Sequence, residues 1–443
     1  LYPLRGLTLR EDPEDAADSS AVRLFVERAR KVQPAFDADR HLLEIVRICR
    51  MVEGMPLGIE LAAAWLRQMS PAEIADEIER SIDFLAVNLR NVPPRHRSMR
   101  AVFDHSWHLL TDDEKLVLMK LSVFRGGCRR QEAMTVTGAS LMVLAGLVDK
   151  SLVRLAVSGR YELHERLRQY TAEKLTEAGL TNEVLDRHSR VYIDFLHKRE
   201  QAIDNINWIP TSEEIELDLL NVLAAWQRAL EYGDAKAINA AVHTLFRFNY
   251  CTGSLHYRAL HPLFEQALEV FAHPADDQSR SVQGRLLARV IAPSFFYDRI
   301  HEAVVNIEKA VSIAQEQDDT QELAFCLCQR GWVARQLAQN AEALTYYEKA
   351  ATLLDARSSL GLRTMIETGL GTTLRTLKQH DAAMETIRKS LELVGMLGWP
   401  DASPGVDLAA LWTDMDRLKE AEETTRKLVS EFQDAFGERA IPA

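Results

Sequence analysis

Residues 161–175 of the sequence read YELHERLRQYTAEKL and join a short β-prone run to an amphipathic helix. Residues 152–157 and 161–163 favour strands, and the Ser-Gly-Arg stretch at 158–160 between them predicts the turn of a hairpin. The apolar side chains of the following helix recur at helical spacing, at Leu167, Tyr170 and Leu175. We therefore predict a β-hairpin that leads directly into a helix.

His164 stands at the junction between the hairpin and this helix. A side chain in the first turn lies near the positive end of the helix dipole, where an anion is favoured. The alternative is a histidine that only caps the helix against its own hairpin. Arg168 occupies the second ligand position of an HExxH pattern, which excludes a zinc protease of that type.

Chain length and net charge limit the number of domains and the classes of partner. The chain of 443 residues is too long for one hydrophobic core, and about 150 residues per domain predicts three units. The formal net charge of -12 argues against a chain built around long nucleic acids or an anionic membrane. The sequence begins with Leu1 rather than Met, inside an apolar segment, and we expect it to be a piece of a longer protein.

Cysteine usage and hydropathy indicate the compartment. The five cysteines are scattered and include no CxxC pair: Cys49, Cys128, Cys251, Cys326 and Cys328. This pattern is typical of reduced thiols in a cytoplasmic protein. The sequence contains no apolar run of about 20 residues that could cross a bilayer, so we predict no membrane partner.

Gly54, Met55 and Pro56 separate two predicted helices in the N-terminal region. Glycine ends a helix in a left-handed turn, and proline begins one at a position whose amide needs no helical partner. These local preferences explain the tripeptide without any ligand. The Pro93-Pro94 pair then marks the end of this helical region.

Beyond Pro94 the predicted order is four short helices, the hairpin and the His164 helix, which is the order of a winged helix. Thr111 and Glu114 form a capping-box pattern at the start of the second of these helices. The helix in the recognition position, residues 140–150 (SLMVLAGLVDK), has few polar side chains. A major-groove reader needs Arg, Lys, Asn or Gln along one face. We therefore predict that this helix is buried and that the chain makes no direct contact with DNA.

Four helical segments further along repeat one pattern: HEAVVNIEKAVSIAQ, AEALTYYEKAATLLD, DAAMETIRKSLELVG and KEAEETTRKLVSEFQ. An alanine column recurs with spacings of 40, 40 and 38 residues at Ala303, Ala343, Ala383 and Ala421. A lysine column follows six residues later at Lys309, Lys349, Lys389 and Lys427. An apolar column follows eight residues after the alanines at Val311, Ala351, Leu391 and Val429.

Each repeat predicts a pair of antiparallel helices whose apolar faces are buried only by stacking on neighbours. The period exceeds the roughly 34 residues of a standard tetratricopeptide repeat (TPR), which predicts longer helices or turns. The predicted fold class is therefore mainly α: a helical domain and a winged helix with a small β-hairpin, followed by a TPR-like α-solenoid. The lysines favour a solvated face, whereas Arg335 and Arg375, equivalent in two repeats, are candidates for a partner-binding groove.

Several segments resemble, in order and spacing, the NB-ARC-type STAND proteins of bacteria, signal-transduction ATPases found in AfsR-like and LuxR-like transcriptional regulators. The segments are AVRLFVERAR, ICRMVEGMPLGIELAAAWL, SPAEIADEI, PPRHRSMRAVFDHSWHLLTDDEKLVLMKLSVFRGG, LVDKSLV and YELHERLRQYTAEKL. With this resemblance we divide the chain into five parts. They are the tail of a nucleotide-binding core (1–18), a helical domain (19–93), a winged helix (94–178), a helical connector or divergent TPR region (179–290) and TPR repeats (291–443).

The resemblance also implies site residues. The Gly-Met-Pro stretch at 54–56 matches the family's GLP motif, whose proline packs on adenine. His164 matches the histidine of the MHD-type motif, which reaches the β-phosphate of bound ADP and locks the resting state. Leu163 and Glu165 stand where that motif usually has Met and Asp. A cofactor-binding role for these residues is thus what the resemblance implies for the intact protein.

The sequence departs from the family at the phosphate loop. It contains no GxxxxGK[ST] motif, no Gly-Lys dipeptide and no Walker B strand. We therefore expect that this chain alone is not an enzyme and holds no cofactor. The resemblance implies that the intact protein is a slow ATPase that binds ADP or ATP with Mg²⁺.

The implied function is the regulatory and sensor part of a STAND switch in a bacterial transcriptional regulator. The TPR array would sense an inducer or a protein, and the winged helix would latch onto nucleotide. The implied partners are an upstream nucleotide-binding core, an output domain and, on activation, further copies of the chain. The residues leave two alternatives open: a TPR scaffold without nucleotide switching, and a winged-helix regulator that binds DNA.

Overall fold

The computed structural model describes residues 7–9, 17–34, 36–52, 54–80, 99–251, 254–290, 299–398 and 403–436. It is mainly helical, with one two-stranded sheet among the described residues, which confirms the predicted fold class. The chain divides into two compact units, Leu1–Val191 and Tyr192–Ala443. The predicted boundary at Pro93-Pro94 lies outside the described residues, and the five predicted domain limits stay predictions.

The first unit begins with four helices: α1 Ser20–Val32, α2 Leu42–Met51, α3 Pro56–Ala64 and α4 Pro71–Arg80. Their apolar faces form one core in which Phe25, Ile45, Ile59 and Ile74 are fully buried. Apolar residues three and four positions apart share one side of a helix, which is why each helix presents a single stripe to this core.

The first unit continues with helices and a hairpin: α5 Met99–His108, α6 Asp112–Leu121, α7 Arg130–Thr137, α8 Leu141–Asp149, β1 Arg154–Leu155, β2 Tyr161–Glu162, α9 Glu165–Glu177 and α10 Thr181–His197. This is the predicted winged-helix order, and α10 runs across the limit between the two units. The strands are antiparallel and shorter than predicted, with Leu155 opposite Tyr161. Cys128 adds a third rung through its own bridge to Tyr161.

Gly127 explains how the loop before α7 lies so close to the hairpin. Its φ is +81°, and a Cβ there would lie 2.7 Å from the Tyr161 carbonyl oxygen. Only glycine fits both the backbone angle and the space.

The helix in the recognition position, α8, corrects one prediction. Leu144 and Leu147 are buried as expected, but Leu141 is 50% exposed and Met142 is 84% exposed. A helix that packs by one face buries only that face. The expectation that the whole helix is buried was therefore wrong.

The predicted capping box at the start of α6 is confirmed. Thr111 accepts from the Glu114 amide at 3.3 Å, and Glu114 accepts from the Thr111 amide at 2.8 Å. Glu114 also pairs with Lys150 at 2.6 Å. Lys150, one of the few polar side chains at the end of α8, therefore forms an ion pair within the first unit.

The second unit opens with six helices: α11 Glu200–Ile203, α12 Trp208–Leu217, α13 Leu219–Glu231, α14 Ala235–Cys251, α15 Ser254–Val270 and α16 Asp277–Arg289. The repeats follow as α17 Ile300–Glu316, α18 Thr320–Gln336, α19 Asn340–Thr352, α20 Leu360–Thr376, α21 His380–Leu397, α22 Ser403–Asp414 and α23 Leu418–Phe436.

The alanine column is buried, as predicted: Ala303, Ala343 and Ala383 are 0% exposed and Ala421 is 9% exposed. The lysine column is exposed, as predicted for a solvated face. The apolar column is misplaced by one residue, because Val311, Ala351 and Leu391 are only half-buried and Val429 is 52% exposed. The buried positions are Ala310, Ala350 and Ser390. At 3.6 residues per turn, a residue seven positions on returns to the same face, whereas the eighth turns away.

Glycines set the close packing of the repeat helices. A Cβ at Gly331 would lie 3.0 Å from the Tyr347 ring, and one at Gly371 would lie 2.8 Å from Ile387. Tyr347 and Ile387 are 40 residues apart, as are the two glycines. The same helix crossing is thus built twice.

Candidate functional site

His164 is the N-cap of α9, so the alternative interpretation as a capping residue describes its local geometry. Its Nδ1 accepts a hydrogen bond from the Arg166 amide at 3.1 Å. Because Nδ1 is the acceptor, the proton of the neutral ring lies on Nε2. The side chain is half-buried, with Nε2 below the surface. The imidazole is therefore held in one orientation, with Nε2 as its donor.

Arg166, in the same turn, is a buried cation. The residue is 2% exposed, and its side chain donates to the Gln169 amide oxygen at 2.9 Å. Its Nε finds no hydrogen-bond partner among the described residues, and no carboxylate there forms an ion pair with it. Burial lowers the pKa of Arg166, against the opposing influence of Glu165 and Glu79. A buried guanidinium without a carboxylate is unusual in a folded chain and favours an anion nearby.

More guanidinium groups lie around the start of α9. Arg168 makes a forked pair with Glu165, with both nitrogen–oxygen distances 2.8 Å, and also donates to the Ser122 carbonyl at 3.1 Å. Burial and the neighbouring Arg168 lower the pKa of Arg125. Burial alone would raise the pKa of Glu165, but the pair with Arg168 brings it below its usual value.

A cavity of about 190 Å³ lies beside this cluster. It is bounded by Gly126 and Gly127 on one side and by Leu163, Glu165 and Arg168 on the other. Both sequence neighbours of His164 thus line it. The cavity lies at the N-terminus of α9, where the helix dipole favours an anion, and its charged lining consists of Glu162, Glu165 and Arg168.

Gly54, Met55 and Pro56 form a tight corner between α2 and α3. Gly54 has a φ of +67° and ends α2, and Pro56 is the exposed first residue of α3. The Leu7 amide donates to the Gly54 carbonyl at 2.8 Å, and a Cβ on Gly54 would lie 2.3 Å from the Leu7 oxygen. Local capping therefore accounts for this geometry without a ligand, as the sequence predicts.

The Gly-Met-Pro corner and the His164 segment both lie on the border of one core. Met55, from the Gly-Met-Pro corner, and Leu163, beside His164, both pack against the cluster that holds the first unit together. Leu167 and Tyr170 of α9 are buried in that same cluster. A movement of α9 would therefore change the packing of Met55 and of Leu163.

The two candidate groove arginines have partners within the repeats. Arg375 on α20 pairs with Asp407 at 3.3 Å and with Asp414 at 3.2 Å, both on α22. Arg335 on α18 is half-buried and interacts with Tyr347 on α19. Both side chains contribute to the packing of neighbouring helices, and their role in partner binding stays a prediction.

The described residues also bear on metal, membrane and thiol sites. They contain no group of three or more His, Cys, Asp or Glu placed to hold a metal ion. No single described helix is long and apolar enough to cross a membrane, and one bent pair, α7 with α8, passes that test jointly. The thiols of Cys49 and Cys328 are buried, and burial raises their pKa to about 12, which makes them poor nucleophiles.

The second unit contains a polar cavity that the sequence did not predict. Its residues come from helices far apart in the chain, and the available signal was charge at helix positions that otherwise face the core: Asp204, Arg247, Arg289 and Glu322.

Comparison with known families identifies the repeats. Residues 326–353 and 368–393 match the family model described as tetratricopeptide repeat. These segments are TPR repeats. They coincide with α18–α19 and α20–α21, where the sequence columns and the glycine contacts recur, so the predicted repeat type is confirmed.

Two curated relatives match the chain over different lengths. A Mycobacterium tuberculosis protein named "Putative HTH-type transcriptional regulator Rv0890c" is 30% identical over 450 residues, spanning 95% of this chain and 49% of that protein. "Uncharacterized protein Rv0894" of the same organism is 35% identical over 192 residues, 40% of this chain and 48% of that protein. The chain thus spans about half the length of the curated relatives it matches. The predicted likeness to bacterial transcriptional regulators is confirmed.

A solved structure aligns with most of the chain at low similarity. It is described as a Signal Transduction ATPase with Numerous Domains (STAND) protein with a tetratricopeptide repeat sensor, PH0952 from Pyrococcus horikoshii. The alignment covers 98% of this chain and 74% of that chain, with a TM-score of 0.35 and 14% sequence identity. A likeness of that degree carries no argument about function.

Proposed function

We propose that this chain is the regulatory and sensor part of a nucleotide-controlled switch in a bacterial transcriptional regulator. In this proposal the TPR array senses an inducer or a protein, and His164 latches α9 onto the phosphate of ADP bound in an upstream core. The names of the relatives support the regulatory role, and the repeats support sensing, because stacked helical pairs offer extended binding surfaces.

The proposed latch rests on two side chains at the start of α9: an imidazole held in one orientation and a buried guanidinium. His164 keeps Nδ1 in the cap, which leaves Nε2 as the only ring nitrogen able to donate, and Arg166 supplies a guanidinium without a carboxylate partner among the described residues. An imidazole N–H and a guanidinium both donate to phosphate oxygens. The residues present therefore fit a nucleotide phosphate, which would supply the negative charge that this end of α9 favours.

Switching requires that the sensor ligand bind the latched and released states with different affinity. A difference of a few kcal/mol between the two states is sufficient to shift the population. The core shared by Met55, Leu163 and α9 connects the Gly-Met-Pro corner with the His164 segment. Displacement of α9 would therefore change the packing around both segments.

The test is ADP retention by the full-length protein after gel filtration, together with its basal transcriptional output. His164→Ala removes both the cap and the donor, whereas His164→Asp keeps a good N-cap acceptor but has no donor and adds negative charge. We expect both variants to lose ADP by about tenfold or more, the effect of one charge-assisted hydrogen bond, and to raise basal output.

His273→Ala is the matched control, because His273 is an exposed histidine in the second unit. It should retain ADP as the unchanged protein does. If His164→Asp retains ADP fully while His164→Ala does not, His164 is only a helix cap and the latch is wrong. If neither variant changes retention or output, the nucleotide role of this segment fails altogether.

A further inference from the structure

The second unit contains a cavity of about 190 Å³ lined mainly by charged side chains. Its walls come from the end of α11 and from α14, α16, α18 and α20. The residues central to it are Asp204, His243, Arg247, Arg285, Arg289 and Glu322. We call it the Asp204 cavity.

Two buried ion pairs form opposite walls of the Asp204 cavity. Arg247 Nε lies 2.6 Å from Asp204 Oδ1, and Arg289 makes a forked pair with Glu322 at 2.6 and 3.0 Å. The side chains of both arginines are only 1% exposed. Burial alone would raise the pKa of both carboxyl groups, but the guanidinium groups hold the pKa of Asp204 far below its usual value and that of Glu322 at about 2. All four groups are therefore charged inside the unit.

His243 joins the two pairs into one network. Its Nδ1 lies 3.1 Å from an Arg289 nitrogen, and its Nε2 lies 3.5 Å from Asp204 Oδ2. A guanidinium can only donate, so Nδ1 accepts and the proton of the neutral ring on Nε2 faces the Asp204 carboxylate. One ring thus contacts both walls of the cavity.

Stability alone does not account for this network. Other crossings in the unit are closed by alanine and aliphatic side chains, as at Ala303 and Ile307. Replacement of buried ion pairs by well-packed apolar residues is often neutral or stabilising. Clustered buried charges that line a cavity are, in contrast, characteristic of ligand sites.

The Asp204 cavity also lies where distant parts of the helical array meet. The Gly361 amide at the start of α20 donates to the Asp204 carbonyl at 2.9 Å, and Ser359 donates to the Asp204 carboxylate. The Leu360 amide donates to Asn205 at 3.1 Å. These contacts join residues at least 155 positions apart in the sequence. A ligand in the cavity would touch both sides of this junction.

The lining indicates the chemistry of a ligand. Among the described residues that line the cavity, four are arginines and three are carboxylates, with Arg357 the most exposed of these arginines and Glu200 the third carboxylate. This near balance suits one anionic group rather than a polyphosphate. Phe325, Leu362 and Met365 form an apolar wall that suits a short carbon skeleton. The volume is too small for a folded peptide or a nucleotide.

We infer that the Asp204 cavity binds a small carboxylate-bearing metabolite of about the size of an amino acid, and that the bound molecule stabilises the junction between Asp204 and α20. The carboxylate pairs with the exposed Arg357 and with Arg285, which also lies 3.0 Å from Asp319, and the carbon skeleton lies against the apolar wall. This inference deepens the proposed function, on which it rests, because it assigns the ligand class that the TPR-containing unit senses.

The experiment is isothermal titration calorimetry of the chain, without nucleotide, against pyruvate, succinate, L-glutamate and inorganic phosphate. We expect saturable binding of at least one of the three carboxylates, and weaker or no binding of phosphate. Arg357→Ala, at an exposed position, should weaken that binding by about tenfold, as should Arg285→Gln. Arg426→Ala is the matched control, since Arg426 is exposed and lies outside the cavity on α23.

Hydrogen exchange of residues 200–217 and 359–365 gives a second measurement, because the bound carboxylate should slow exchange on both sides of the junction. No saturable binding of any carboxylate, phosphate binding as tight as theirs, or equal weakening by Arg426→Ala would each overturn the inference. These outcomes leave the His164 latch unaffected, since ADP retention is measured separately.

Discussion

Gly361 shows how much one missing methyl group can control. It lies in the first turn of α20, where a Cβ would be 2.1 Å from Asp204 Oδ1 and 2.9 Å from an Arg247 nitrogen. We expect Gly361→Ala to lower the free energy of unfolding of the second unit by about 1–3 kcal/mol, since the buried ion pair must shift. Urea denaturation followed by circular dichroism measures the change.

Gly395→Ala is the matched control for that substitution. Gly395 is an exposed residue within α21, and a Cβ there would meet nothing within 4 Å. Alanine is the better helix former by up to about 1 kcal/mol, so this variant should be slightly more stable. Equal unfolding midpoints for the two variants would show that Asp204 accommodates the extra methyl group freely.

Residues whose role depends on near neighbours in the sequence were predictable. The capping box at Thr111 and Glu114 needs only four consecutive residues, and the sequence predicts it correctly. The cap formed by His164 is equally local, and both its capping and its latch interpretation could be stated beforehand. The Asp204 cavity could not be predicted, because Asp204 and Ser359 are 155 positions apart and their separation depends on the stacking angles of every helix between them.

At the scale of elements, α16 and α18 are joined by the buried pair of Arg289 and Glu322. The pKa of Glu322 is about 2 in the folded chain against its ordinary 4.5: burial alone would raise it, but Arg289 and Arg285 outweigh that effect. A depressed carboxyl pKa contributes stability that is present above pH 4.5 and is lost as the pH falls towards 2. We therefore expect the urea midpoint of the second unit to fall as the pH is lowered from 4.5 to about 2.

Glu322→Gln should flatten that acid dependence while it lowers stability near neutral pH, because Arg289 is left buried without its carboxylate. Glu316→Gln is the matched control, since Glu316 pairs with Arg280 between α17 and α16 but is 48% exposed. Surface pairs contribute little, so this variant should follow the unchanged protein at every pH. If the urea midpoint of Glu322→Gln fell as steeply at low pH as that of the unchanged protein, other groups would be responsible for the pH dependence.

The repeats also show which buried helix positions can be predicted from sequence periodicity alone. Ala303, Ala343 and Ala383 are fully buried as predicted, because one small residue per helix pair sets the closest approach. The apolar column was placed one residue too late, since Val311 and Leu391 are as apolar as a core residue yet only half-buried. The residue types at these positions do not distinguish the buried face of a helix from the edge of that face. The rotation of about 100° per residue around the helix axis does.

At the scale of the whole molecule, the second unit departs from a simple linear array of repeats. In such an array each repeat contacts only its neighbours, and terminal repeats can be removed with local effects. Here the Trp208 indole donates to the Leu397 carbonyl at 2.8 Å, and the Gly361 amide donates to the Asp204 carbonyl. The beginning of the array is therefore held by its later helices.

Two truncations test this long-range closure. Residues 1–398 keep α20, α21 and the Leu397 carbonyl, whereas residues 1–357 lose all of them. We expect the amides of residues 200–217 to exchange hydrogen slowly in the longer protein and quickly in the shorter one, because Asp204 loses its contacts with Ser359 and Gly361 and Trp208 loses the Leu397 carbonyl. A linear array predicts the same slow exchange in both truncations, since the removed helices are more than 140 positions away from this segment.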